Sequence, residues 1–276
     1  MSPEPPLLAQ LPDEPTADSL LDGFLAFTTE QGIDLYEAQE EAVLELYGGN
    51  HVILNTPTGS GKSLVALAVH FEAVARGQRS YYTAPIKALV SEKFFELCRA
   101  LGSDNVGMVT GDASVNPHAP VICCTQEILA NLALRHGSAA LVDSVVVDEF
   151  HYYSDRDRGW AWQVPLLELT NAQFLLMSAT LGPTDFFASD LEARSGRPVV
   201  IVKGTVRPVP LTYEYRQTTL LESIEELLVT ERAPVYVVHF TQRAATERAQ
   251  SLTSLDVLTK DEKKQVNAEI GGFRFD

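Results

Sequence analysis

Cysteine is scarce in this chain. Its three copies, Cys98, Cys123 and Cys124, are odd in number and show no Cys-x-x-Cys spacing. That excludes a disulfide framework and fits a reducing, cytoplasmic compartment. No apolar run approaches the roughly 18 residues that would cross a bilayer, so no membrane partner is expected. The opening MSPEPPLLAQLPDEPTADS has neither a basic stretch nor a sustained apolar core, which excludes a secretory signal. The six histidines are scattered, so His151 finds no second His or Cys at ligand spacing and a zinc site is not expected. Lysine and arginine are absent from residues 1–50, which hold eleven acidic residues. The other 226 residues carry only −5 of the total −16, with basic residues gathered at 76–99 and 194–216. A charge of −16 is unusual for a polymer-binding protein, but an acidic prefix can lie far from a basic groove.

What the chain does contain is alternation. Apolar, β-rich runs end at HVILN, SYYTA, NVGMVT, PVICCT, SVVVDE, QFLLMS and PVVIV, with helix-period segments such as KSLVALAVHFEAVARG between them. Strands that are apolar throughout and separated by helices predict an α/β fold with a parallel sheet covered on both faces. Residues 1–15, rich in Pro and acid, read as a flexible lead-in, and residues 16–203 as one domain. The prolines of KGTVRPVPL place a linker at 204–212. Residues 213–276 read as the beginning of a second α/β domain, with strands expected at LTYEYR and PVYVVHF. The sequence then stops at TKDEKKQVNAEIGGFRFD, before such a domain could close, so a fragment is expected.

HVILNTPTGSGKSLVALAVH is a strand, a glycine-containing loop and a helix. Gly59, Gly61, Lys62 and Ser63 complete a phosphate-binding loop, in which backbone N–H groups and a helix N-terminus surround anionic oxygens. The loop residues Thr56, Pro57, Thr58, Gly59, Ser60, Gly61, Lys62 and Ser63 are therefore candidates for binding ATP. Lys62 is placed at the β/γ-phosphates and Ser63 on Mg²⁺. Thr56 stands where the strict pattern has glycine, a relaxation typical of nucleic-acid motor ATPases. Downstream, VVVDEFHYYSDRDRGW ends an apolar strand in two carboxylates. Asp148 is the candidate Mg²⁺ ligand, and Glu149 the group that orients and deprotonates the attacking water. Such groups belong at the C-terminal edge of an open parallel sheet.

In this order the motifs resemble those of a superfamily 2 helicase of the DExH-box class, from about Asp34 to Phe240. DLYEAQEEAV resembles the adenine-reading segment, with Gln39 on the base edge. TPTGSGKS and DEFH are similar to motifs I and II. APIKAL, TGD and CTQEIL resemble the segments that grip a nucleic-acid backbone, which implies contacts from Pro85, Lys87, Thr110, Gly111, Thr125 and Glu127. SAT resembles motif III, which implies that Ser178, Thr180 and His151 couple the ATP site to the polymer site. DEFHYYSDRDRGWAW is similar to the Ski-like, exosome-associated branch at Tyr152, Asp155, Arg158, Gly159 and Trp162, while Gln163 stands where that branch has Glu. On their own, Trp160 and Trp162 read as buried aromatic area on a helix.

The resemblance implies a RecA-like parallel sheet flanked by helices, followed by the incomplete start of a second RecA-like domain. It implies an ATP-hydrolysing RNA helicase using ATP and Mg²⁺, with single-stranded nucleic acid as partner, RNA favoured over DNA, and the remainder of its own second helicase domain completing the motor. The late glycine-rich strand and the Arg-Gly-Arg helix of the family are absent, so the 276 residues alone are expected to bind ATP but hydrolyse it poorly. A DNA helicase or translocase motor and a non-catalytic nucleotide-dependent binding module remain the alternatives.

Overall fold

The computed structural model describes residues 5–204, 210–253 and 258–270. The chain divides into two bodies, Met1–Pro210 and Leu211–Asp276. The linker expected at 204–212 lies largely at 205–209, outside the described residues. No helix among the described residues is long and apolar enough to cross a membrane.

The first body is an eight-stranded sheet between two helical layers. Its strands are β1 (His51–Asn55), β2 (Ser80–Ala84), β3 (Val106–Val109), β4 (Ser114–Val115), β5 (Val121–Thr125), β6 (Ser144–Val147), β7 (Gln173–Ser178) and β8 (Val199–Lys203). Their order across the sheet is β4-β3-β5-β2-β6-β7-β1-β8. Every pairing is parallel except β3 with the two-residue β4, an edge hairpin the apolar pattern did not announce. All seven expected strands of this body form.

Successive strand residues point to opposite faces, and both faces are buried. Val52, Leu54, Tyr82, Cys123, Val146 and Leu175 pack beneath α1 (Ala17–Glu30), α2 (Glu37–Tyr47), α3 (Lys62–Ala75) and α4 (Lys87–Leu101). Ile53, Tyr81, Cys124, Val145, Val147 and Phe174 pack beneath α5 (Gln126–His136), α6 (Trp160–Glu168) and α7 (Asp185–Ser195). This two-sided burial is why the strands read as unbroken apolar runs. Residues 5–11 are not a loose lead-in. Leu7 is fully buried in the first core, and its N–H donates to the Ala100 carbonyl at 3.2 Å. One apolar side chain of that size stabilises the fold by roughly 1.5–3 kcal/mol, enough to hold a short segment down.

The second body contains α8 (Leu220–Val229), α9 (Gln242–Leu252) and α10 (Lys260–Ile270). Thr219 opens α8 with a capping box closed by Glu222. The strands expected at LTYEYR and PVYVVHF do not form: residues 211–216 and 234–239 carry no strand pairing, and Tyr213, Tyr215, Tyr236 and Phe240 are exposed. A β-strand exists only through the backbone groups of a neighbour, and among the described residues here no neighbour supplies them.

Helix α6 contains Pro165, whose missing N–H would have bonded the Ala161 carbonyl one turn earlier. The buried Gln126 amide takes that place, donating to Ala161 O at 3.1 Å from the start of α5. Replacing Gln126 by Leu leaves the carbonyl orphaned. The cost should shrink by about 1 kcal/mol when Pro165→Ala restores the helix's own donor, which a double-mutant cycle in urea would measure.

Two buried histidines are held neutral. The Phe174 N–H donates to His51 Nδ1 at 2.9 Å, so the His51 proton lies on Nε2, 2.9 Å from Ser195 Oγ. Burial, and secondarily Arg197, push His51 down to about 4. His70, with Nδ1 2.8 Å from Ser80 Oγ, is pushed down to about 3 by burial and then Lys93. The unfolded chain binds these protons first, near the ordinary value of 6.5. The contribution is therefore complete above about pH 6.5 and is lost as pH falls toward 4, at up to about 1.4 kcal/mol per pH unit and histidine. His70→Asn should flatten that fall in urea titrations run across the window.

Candidate active site

β1 ends at Asn55, and residues 56–61 turn the chain into α3. Gly61 is the N-cap of α3 at φ +71°, and no side chain caps the helix. The first N–H groups of α3 are thus left for an anion. A Cβ at Gly61 would fall 2.3 Å from Gln39 Nε2 in a left-handed conformation that other residues resist, so two separate constraints demand glycine. Thr56 Oγ1 lies 2.6 Å from Ser60 Oγ, closing the loop across its mouth. The Lys62 ammonium donates to the carbonyls of Thr56 at 2.8 Å and Pro57 at 3.1 Å. Burial pulls the Lys62 pKa below the ordinary lysine value, while Glu149 and Asp148 oppose that shift. The loop and the two carboxylates therefore share one electrostatic site.

Those carboxylates follow β6, two strands from β1. The Asp148 N–H donates to Thr83 O at 2.9 Å, extending the ladder by one bond beyond β6. The buried Tyr82 hydroxyl donates to Asp148 Oδ2. Burial and the adjacent Asp148 push the Tyr82 pKa well up, so it stays a donor. Glu149 sits at φ +49°, a left-handed backbone unusual for glutamate and the kind of local strain that collects at functional sites. His151 Nδ1 is 3.2 Å from Ser178 Oγ and 3.3 Å from Glu149 Oε2. Ser178, at the end of β7, also accepts the Thr180 N–H at 3.3 Å. Of the residues expected to couple the sites, His151 meets Glu149, the residue expected to activate water, and Ser178 and Thr180 follow behind it.

A cleft of about 430 Å³ opens beside the loop, between Tyr36, Gln39, Thr56, Ser60 and Gly204. Gln39 forms its wall and spends much of its amide there. Its Nε2 donates to Ser60 O at 3.0 Å and Gly61 O at 2.9 Å, and its Oε1 accepts the Tyr36 N–H at 2.8 Å. One lone pair of Oε1 is left for a base edge.

The expected gripping residues follow β2, β3 and β5, the other half of the same edge. Lys87 is exposed and pairs with Asp112 at 2.8 Å. Lys87 and the Thr110 hydroxyl hold the Asp112 carboxyl below its ordinary value. Thr110 and Thr125 are nearly buried and Gly111 is exposed. Glu127 does not face outward freely: its Oε1 accepts from Arg158 Nε at 2.8 Å and Nη2 at 2.6 Å.

Residues 36–186 match the family model described as DEAD/DEAH box helicase. The chain belongs to the DEAD/DEAH box helicase family. Among relatives, a chloroplastic DExH-box ATP-dependent RNA helicase, DExH15 of Arabidopsis thaliana, is 36% identical over 68% of this chain and 17% of its own length. The probable helicase HelY of Mycobacterium tuberculosis is 39% identical over 67% and 20%. The antiviral helicase SKI2 of Saccharomyces cerevisiae is 34% identical over 63% and 14%. The chain spans a fifth or less of the length of these relatives. A crystal structure of the DUF1998 helicase MrfA bound to DNA shares the fold at TM-score 0.53 and 22% identity, covering 66% of this chain and 29% of that one. A hypothetical ATP-dependent RNA helicase from Sulfolobus tokodaii does so at 0.52 and 17%, covering 68% and 57%.

Within this helicase body, sequence reasoning passed over two residues that hold others in place. Tyr82 supports Asp148. Lys93, nearly buried on α4, donates to Ser63 Oγ at 2.8 Å and to Glu96 at 2.6 Å. Both come from the β2–α4 unit, and no motif spacing marks them. Tyr36, exposed at the cleft, was likewise passed over.

Gly61→Ala should weaken binding of a fluorescent ADP analogue by about tenfold, since a non-glycine left-handed residue costs about 1–2 kcal/mol. Because part of that strain is present without nucleotide, the melting temperature should also fall by a few degrees; unaltered affinity would count against the loop as the nucleotide site.

Proposed function

We propose that this chain is the nucleotide-binding motor body of an ATP-dependent RNA helicase, with Leu211 onward beginning a second motor body that the rest of the machine completes. The observation that carries the reading is the shared rim: the loop with Lys62 follows β1 and the Asp148–Glu149 pair follows β6, two strands apart on one sheet edge, beside the loops of β2, β3 and β5. The uncapped start of α3, the Lys62 cation and the Ser63 and Asp148 oxygens suit a triphosphate with a hard divalent cation.

In this reading Ser63 and Asp148 hold Mg²⁺, which when bound offsets the charge of the phosphate oxygens. Lys62 leaves its loop carbonyls for the β/γ-phosphates. Glu149 accepts a proton from water as the water oxygen bonds to the γ-phosphorus and the bond to ADP breaks. His151, shared between Glu149 and Ser178, registers the carboxylate's state at the end of β7. Polymer phosphates would lie on the loops of β2, β3 and β5, where Lys87 can exchange Asp112 for a phosphate because an exposed ion pair is worth only about 0–1 kcal/mol. RNA is favoured by the Ski-like DEFHYYSD…RG stretch and by relatives named as RNA helicases. The DNA-bound MrfA structure keeps a DNA motor as the second reading.

The test is steady-state ATP hydrolysis by the longest natural chain containing these residues, alone and with single-stranded RNA or DNA, with Lys62→Ala as blank. RNA should stimulate most. Equal or stronger stimulation by DNA would favour the second reading, and turnover that no polymer alters would sink the helicase assignment. Glu149→Gln should retain nucleotide binding and lower turnover by about a hundredfold or more; an unchanged profile would indicate a pure binding module.

A further inference from the structure

The segment after the DExH box makes a tight turn. Asp155 Oδ1 accepts the N–H groups of Asp157 at 2.9 Å and Arg158 at 2.8 Å. Gly159 lies so close that a Cβ there would sit 2.3 Å from Tyr153 O and 2.5 Å from Asp155 O. The turn aims Arg158 back across the sheet edge. Its guanidinium donates to Glu127 Oε1, at the start of α5, and at 2.6 Å to the Pro85 carbonyl, just after β2. One side chain thus ties two of the loops assigned to the polymer. A planar fork can serve both acceptors at once, which an ammonium on a single stem does less well.

The other face of Arg158 meets an aromatic stack. Its Cζ lies 5.6 Å from the Trp162 ring. Trp162 is fully buried and stacks on Tyr152 with centroids 5.5 Å apart and planes at 20°. Tyr152 in turn lies 4.9 Å from His151, which contacts Glu149 and Ser178. An unbroken series of packed groups therefore runs from the water-activating carboxylate to the Pro85 and Glu127 loops.

We propose that Arg158 is a positioning residue that transmits the state of the nucleotide site, through Trp162, Tyr152 and His151, to the Pro85 and Glu127 loops. This rests on the helicase reading above. Arg158 itself touches neither nucleotide nor polymer in this role. It sets the spacing of the two loops, and displacement of His151 shifts the stack against which its guanidinium rests.

Contact alone does not establish coupling, so the experiment reads coupling directly. In the longest natural chain containing these residues, the affinity for a fluorescein-labelled oligouridine is measured with and without AMP-PNP and Mg²⁺. In the unaltered protein the nucleotide should change RNA affinity by roughly tenfold or more. Arg158→Met should reduce that ratio to less than about twofold while leaving the affinity for a fluorescent ADP analogue unchanged. Tyr152→Ala, which touches neither Pro85 nor Glu127, should reproduce the loss. Arg158→Lys should give a partial loss, and serves as the readout if the methionine variant does not fold. A ratio unchanged in Arg158→Met, an equal weakening with and without nucleotide, or a full ratio in Tyr152→Ala would each overturn the proposal while leaving the helicase reading standing. An unaltered protein that binds neither RNA nor DNA in either state would instead overturn that reading, and this proposal with it.

Discussion

The parallel ladder from β3 to β8 sends the C-terminal ends of seven strands to one edge of the sheet, and the rest of the molecule depends on that constraint. A parallel pair cannot be joined by a tight turn, so the chain must leave this edge and cross back before it enters the next parallel strand. The loops collect along a single rim. The strand order then sorts them: β6, β7 and β1 are contiguous and bring the DExH box, Ser178 and the phosphate loop together, while β3, β5 and β2 bring together the three loops assigned to the polymer. The neighbours β2 and β6 form the seam between the two halves.

Support for the site comes from across that seam. Tyr82 on β2 holds Asp148, which follows β6, and Lys93 on α4 holds Ser63 at the start of α3. Arg158, beyond the DExH box, reaches the other way to Pro85 and Glu127. These contacts are buried or half-buried, where losing one partner leaves an unsatisfied polar group and costs about 1–3 kcal/mol. The exposed Lys87–Asp112 pair is cheap to break by comparison. Rigidity is concentrated behind the rim and exchangeability at its surface, an arrangement suited to a site whose ligands come and go.

Much of this body was legible in the sequence. Seven strands could be read from their apolar runs because a sheet covered on both faces leaves no polar alternation to confuse the pattern. That the loop of Gly59–Ser63, Asp148–Glu149 and Ser178 would lie at strand ends was legible because each closes an apolar run. The misreadings share a physical cause. Composition gave Leu7 a place in a loose lead-in, but the first core buries it. The β-branched and aromatic residues of LTYEYR and PVYVVHF favour strands, but propensity forms no ladder without a partner. Glu127 was expected among the polymer contacts, and nothing in its neighbours announced the arginine, thirty-one positions away, that its carboxylate pairs with.

By itself the sequence determined which chemistry is available: a lysine and glycines that can hold phosphate, two carboxylates that can hold a cation and activate water, and strands apolar enough to demand cover on both faces. Those are local properties, set by residue type and short spacing. Tertiary structure alone decided which loops became neighbours. Strand order is settled by the packing of crossovers and layers over the whole chain, so motifs that follow one another as β1, β2, β3, β5, β6 and β7 are regrouped into two halves of one rim. Tyr82, Lys93 and Arg158 gain their partners only through that regrouping, because hydrogen bonds act over about 3 Å and no spacing along the chain records which side chains the fold will bring that close.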